Sequence, residues 1–181
     1  SDYFNALQHL ARKFIFQRYL NEKQIDYFDL IYGNQTIDDF KIDQSKLSFG
    51  NIENNFVFNY LDFLIYCDAE NSNDKVIKNF KFTQRSSVEH FYAQQIEGER
   101  DESDHENLHR FGNLCLISSS KNSSIGNRLP SAKRDYFMPE IRKGKIDTLK
   151  LYLMIQMLEE KNVWKKEQIL DHEKKMLDLF E

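Results

Sequence analysis

The spacing of the apolar residues changes partway along this chain, and that change constrains the fold more than any other feature. Over 2–20, Tyr3, Leu7, Leu10, Phe14 and Ile15 recur every three to four residues, with Arg12, Lys13 and Arg18 between them. That spacing predicts an amphipathic helix. A second helix is expected over about 22–32 through Ile25, Phe28 and Ile31, closed by Gly33 and Asn34. A third covers 51–66, with Ile52, Phe56, Tyr60, Phe63 and Leu64 on one side, aromatics that belong in a core. Segments 35–50 and 68–78 read as polar connections. From Phe80 the pattern differs: Phe80-Lys81-Phe82-Thr83 and Ser86 to Phe91 alternate as short strands do, and Leu114-Cys115-Leu116-Ile117 is an apolar run of strand length. A Ser/Asn/Gly stretch follows to Asn127, and Pro130 suits the first turn of a helix toward Tyr136. Helical spacing returns over 145–160 and 162–180, with Asn162 expected as the N-cap of the last helix and Trp164 as an anchor between the two. The expected fold is mainly α with a small β-containing insert, an α+β arrangement, in three parts: 1–79, 80–137 and 138–181.

Such a chain is globular. Its 15 Phe and 9 Tyr give it far more apolar area to bury than a disordered segment carries. No stretch approaches the length of a membrane-crossing helix, and no basic-then-apolar leader opens the chain. It begins at Ser1 rather than Met, which reads as a piece of something longer. Cys67 and Cys115 stand far apart, so neither a thiolate zinc site nor a disulfide framework is expected, and a reducing cytoplasm fits. With six Gly there is no phosphate-cradling glycine motif, and neither H-E-x-x-H nor G-x-S-x-G occurs. Most nucleotide-binding, metalloprotease and serine-hydrolase classes are thereby excluded.

The net charge of −4 looks unsuited to nucleic acid, but it is unevenly distributed. Residues 1–80 hold 12 acids and 8 bases, which accounts for all of it. Glu97 to Glu106 is an acidic run holding six acids, and it reads as a solvent-exposed insertion or a regulatory loop. Asn107 to Arg134 holds five bases and no acid, which predicts a local positive face. His105 and His109, spaced i, i+4 beside Asp104 and Glu106, have the spacing of a helical metal site, but in an acidic run they read first as solvated.

The chemistry concentrates on Glu89-His90, at the end of a strand, and on Asn113 and Asn122. A carboxylate binds a hard divalent cation and a neutral imidazole accepts a proton from water, the pairing that phosphodiester hydrolysis needs. An Asn carbonyl oxygen is a further acceptable ligand for such an ion.

These residues carry a resemblance. Ser87-Val88-Glu89-His90-Phe91-Tyr92, then Phe111-Gly112-Asn113-Leu114-Cys115-Leu116-Ile117-Ser118, then Asn122, Asn127 and Lys133 resemble the C-terminal HNH domain of GmrSD-type restriction endonucleases. The family pattern runs S-(I/V)-E-H-(I/F)-x-P-Q, then (I/F)-G-N-L-x-L, then an Asn and a Lys. Ala93 stands where the pattern has its proline, which bears on loop geometry more than on chemistry. The resemblance implies a ββα-metal finger, the His-Me or HNH fold, within 80–137. It implies His90 as general base, Glu89 and Asn122 as ligands of one Mg²⁺ or Mn²⁺, and Asn113 as a brace for the loop between the strands that orients His90. Lys121, Arg128, Lys133 and Arg134 are the expected phosphate contacts, and Asn127 is expected only to start a helix. It further implies a DNA substrate, modified DNA included, and a role in restriction of phage. A ParB/Srx-like nucleotide-hydrolysing domain that governs targeting is the implied partner. The alternative is a catalytically inactive finger serving in assembly or DNA binding.

Overall fold

The computed structural model describes residues 2–33, 41–69, 72–93 and 105–180. The chain is mainly helical with one two-stranded antiparallel sheet, an α+β arrangement. Its elements are α1 (Asp2–Lys13), which continues into a π-helical turn (Phe14–Tyr19), α2 (Tyr27–Tyr32), a 3₁₀ turn (Gln44–Leu47), α3 (Phe56–Asp68) and α4 (Lys75–Lys78). Then come β1 (Ser87–His90), α5 (His105–Leu108), a second 3₁₀ turn (Phe111–Asn113), β2 (Leu114–Ile117), α6 (Ser119–Ile125), α7 (Pro130–Ile141), α8 (Leu149–Lys161) and α9 (Lys166–Asp178). No described helix is long and apolar enough to cross a membrane. Both cysteines are free thiols.

The chain divides into two compact units, Ser1–Tyr60 and Leu61–Glu181. In the first, Ile15, Phe16, Tyr19 and Leu20 are buried, whereas Tyr3, Leu7 and Leu10 are exposed, so the apolar stripe of α1 is covered only at its end. The second helix begins later than its spacing suggests because the Asp26 carboxylate caps it, accepting from Asp29 N–H at 2.9 Å. Gly33 ends it with extended backbone; a Cβ there would lie 2.3 Å from the Asp29 carbonyl oxygen. Asn34 lies outside the described residues.

The second unit is built around α8, whose Leu149, Leu151, Met154, Ile155 and Leu158 are buried. β2 packs on it, and all four β2 side chains are buried, which is why this strand reads as a continuous apolar run rather than an alternation. β1 pairs antiparallel to β2 with Glu89 opposite Cys115 and His90 opposite Leu114. The expected strand at 80–83 does not form: β2 is four residues long and already paired, so 80–86 have no partner strand. Phe80 and Phe82 instead meet edge to face at 4.9 Å, with Phe82 also edge-on to Tyr66 at 5.7 Å.

Two further expectations change. The Ser/Asn stretch after Ser118 forms helix α6, in which the Ser123 and Ser124 hydroxyls turn back to the carbonyls four residues earlier (3.1 and 2.9 Å) and which Gly126, at φ 53°, ends. Asn162 is the C-cap of α8, not the N-cap of α9: it sits at φ 57°, a conformation Asn tolerates, and its N–H returns to Leu158 at 2.8 Å. Pro130 opens α7, as its fixed φ favours.

Candidate active site

β1, the 3₁₀ turn before β2, and α6 form the frame. α6 packs against β1, and the two are joined at one end through hydroxyls, Ser86 Oγ to Ser119 Oγ at 3.0 Å and Ser87 Oγ to the same atom at 3.3 Å. Asn122 lies one turn along α6 from that join. It is half-buried, and its side-chain amide has no hydrogen-bond partner among the described residues.

Asn113 is fully buried and uses all its hydrogen-bonding capacity. Its Oδ1 accepts from Tyr92 N–H at 2.8 Å and Trp164 Nε1–H at 3.1 Å; its Nδ2 donates to the carbonyls of Tyr92 at 3.1 Å and Leu108 at 2.9 Å. Its carbonyl accepts from Phe91 N–H at 2.8 Å. One side chain thus ties the residues just beyond β1 to those before β2, immediately after His90. Trp164 is held by this bond and by edge-on contacts with Phe91 and His172, so it anchors the turn before β2 and the residue after β1 as well as the closing helices.

The turn carrying Asn113 is held from two more sides. Lys150 of α8, fully buried, donates through Nζ to the carbonyls of Phe111 at 2.8 Å and Leu114 at 2.6 Å. Burial pushes its ammonium down to about 7. Glu173 of α9 accepts from Gly112 N–H at 3.1 Å and takes both arms of Arg110, at 3.1 and 2.6 Å. α9 comes so close that a Cβ at Gly112 would lie 2.0 Å from the Ile169 carbonyl oxygen, hence the glycine. The sequence reading missed Lys150 and Glu173. Their signal was present: each is a lone charge on an otherwise apolar helix face.

His90 is buried at the end of β1 with its Nε2 3.2 Å from Nδ1 of His109. Burial, then the charges of His109 and Lys133, pushes its imidazole down to about 4, so it is neutral at physiological pH. His109 is exposed, as its surroundings suggest, and its ring also reaches His90. The acidic run beside it lies mostly outside the described residues.

The expected phosphate contacts fare differently. Lys133 is 1 % exposed; its Nζ is bonded to the Glu89 carboxylate and the His90 carbonyl, so it cannot meet a phosphate from outside. Lys121 is held by Asp147 at 2.6 Å and by Glu140. Arg134 pairs with Asp135 at 2.8 Å. Arg128 alone of the four is exposed with no polar partner among the described residues. Asn127 lies in the turn between α6 and α7, before the helix start at Pro130. The acid-free stretch is free of acids only along the chain; in space Glu89, Glu140, Asp147 and Glu173 neutralise it.

Among the described residues no three of His, Cys, Asp and Glu cluster as a metal cage. A family model described as GmrSD restriction endonucleases, C-terminal domain, matches residues 35–179. No curated protein and no solved structure matches the chain.

Proposed function

The chain belongs to the family of GmrSD restriction endonuclease C-terminal domains, a nuclease module whose substrate is DNA, and from that premise we propose that β1, β2 and α6 form an HNH-type ββα-metal finger that hydrolyses DNA phosphodiester bonds. The observation that carries this reading is the buried His90 at the end of β1, beside Glu89, with the backbone that follows it held by the fully bonded Asn113.

Glu89 and Asn122 would hold one Mg²⁺ or Mn²⁺. Their donor chemistry fits: one carboxylate and one amide oxygen suit a hard cation that takes its remaining ligands from water and substrate phosphate. Such an ion, when bound, stabilises the charge that develops on the phosphate and on the leaving oxygen. His90 accepts the proton of the attacking water. Asn113 acts at one remove, holding the backbone that follows His90. Lys133 holds one oxygen of Glu89, so the other would be the one to take the ion. The products are a 5′-phosphate and a 3′-hydroxyl. Restriction of modified phage DNA, with a ParB/Srx-like nucleotide-hydrolysing partner choosing the target, completes the reading.

Supercoiled plasmid tests the metal assignment. Wild type nicks it with Mg²⁺ or Mn²⁺ and stops on chelation, and Glu89→Gln and Asn122→Ala each lose about a hundredfold or more in rate while remaining folded. Equal cutting by wild type and both variants would refute the ligand assignment.

A further inference from the structure

On the side of the finger where β1 begins, six cations surround one cavity of about 660 Å³: Lys78, Lys81, Arg85, Lys121, Lys143 and Lys145. Its two acids, Glu140 and Asp147, are already engaged. Lys121 binds both, and Asp147 also receives Ser118 N–H at 2.8 Å and lies 3.5 Å from Arg85. The outer lysines have no such partners. Among the described residues Lys81, Lys143 and Lys145 make no side-chain ion pair or hydrogen bond, and Lys78 meets only the neutral Asn73 oxygen at 3.1 Å. All four are exposed.

The cavity is built by the backbone. Gly144, at φ 70°, turns the chain between α7 and α8, and a Cβ there would lie 3.0 Å from the Asn79 side chain and 3.4 Å from the Lys75 carbonyl. The turn therefore lies close against α4, which brings Lys143 and Lys145 to the same cavity as Lys78. The inner wall belongs to the finger itself. Arg85 precedes β1 by two residues, Lys121 is the neighbour of Asn122, and Asp147 holds the N-terminus of α6.

We propose that this cavity binds the phosphodiester backbone of the DNA that the finger cuts, through Lys78, Lys81, Lys143 and Lys145. The ligand class rests on the nuclease reading; the site does not. Four unpaired ammonium groups drawn from two separate segments, 78–81 and 143–145, suit a chain of phosphates, each neutralising one charge and releasing counterions. A compact anion needs donors converging on one point, and here the two innermost cations are neutralised by carboxylates. The spacing also fits. From Ser87 to His90 the strand rises about 10 Å at roughly 3.3 Å per residue, about three base steps of a duplex. DNA held in the cavity thus has its scissile phosphate within reach of β1's far end. The site replaces three of the four phosphate contacts expected from the acid-free stretch, and its lysines lie outside that stretch.

The test measures binding apart from cutting. Using the full chain with His90→Ala, anisotropy of a labelled duplex without divalent metal is followed from 50 to 200 mM salt. Replacing Lys78, Lys81, Lys143 and Lys145 by Ala should weaken binding at least tenfold at low salt and reduce the slope of log K against log salt by up to about 3.6. Replacing the exposed Lys161, Lys166, Lys174 and Lys175 instead should change neither. With His90 intact, the cavity variant should show a raised KM and an unchanged kcat. The proposal is overturned if the parent shows no binding at 50 mM salt. It is also overturned if both lysine sets weaken binding equally, or if inorganic phosphate or a mononucleotide displaces the duplex at concentrations near those of the protein. A wild type that binds through the cavity but never cuts would refute the nuclease reading and leave the binding site standing. One that cuts while the cavity variant binds normally would do the reverse.

Discussion

Asn113 makes four side-chain hydrogen bonds in complete burial, two as acceptor and two as donor. Truncating it to Ala leaves the Tyr92 N–H and the Trp164 indole N–H without partners away from water. At about 1–3 kcal/mol for each orphaned group, Asn113→Ala should lose about 3 kcal/mol in urea unfolding. A loss within 0.5 kcal/mol, roughly what an ordinary surface substitution costs, would contradict the bracing role. The type and position of this residue were legible because a G-N pair just before an apolar strand is a local pattern. The partners of Lys133 were not. Its ammonium meets Glu89, 44 positions away, and no local pattern reports which charges meet across such a separation. The partners of Lys121 were hidden for the same reason, since Glu140 and Asp147 lie 19 and 26 positions away.

Elements whose apolar spacing agrees with their burial were readable: the body of α3, β2, α8 and α9, and the Pro130 start of α7. α6 was not, because its Ser-rich sequence has low helix propensity and no apolar stripe; it is the packing on β1 that holds it as a helix, with the Ser123 and Ser124 hydroxyls turned back onto its own backbone. α9 illustrates how a helix can carry pH dependence. His172 is fully buried beside Trp164, its Nε2 has no partner among the described residues, and burial holds its pKa well below the usual imidazole value. In the unfolded chain that imidazole protonates near pH 6.5. As pH falls below that value the unfolded state gains a proton that the folded state refuses, so stability declines. The melting temperature should therefore drop from pH 7 to pH 5, and His172→Phe, which keeps a ring against Trp164, should reduce that drop. An identical drop in the variant would remove His172 from the account.

Across the whole molecule the net charge of −4 is a poor guide to what the chain binds. Folding pairs Arg110, Lys121 and Lys133 of the acid-free stretch with carboxylates from β1, α7, the α7–α8 connection and α9, and gathers unpaired lysines from 78–81 and 143–145 around one cavity. Family membership was legible from short motifs because their residues are spent on local geometry: Gly112 on the approach of α9, Asn113 on the loop, Glu89 and His90 on the strand end. The proposed role of His90 as the base of a DNA-cutting site is open to test by single-turnover cleavage of a duplex with Mg²⁺. Between wild type and His90→Ala at saturating protein, a fall of about 10²–10⁴ in rate is expected, with duplex affinity within twofold. Equal rates in the two proteins would contradict it.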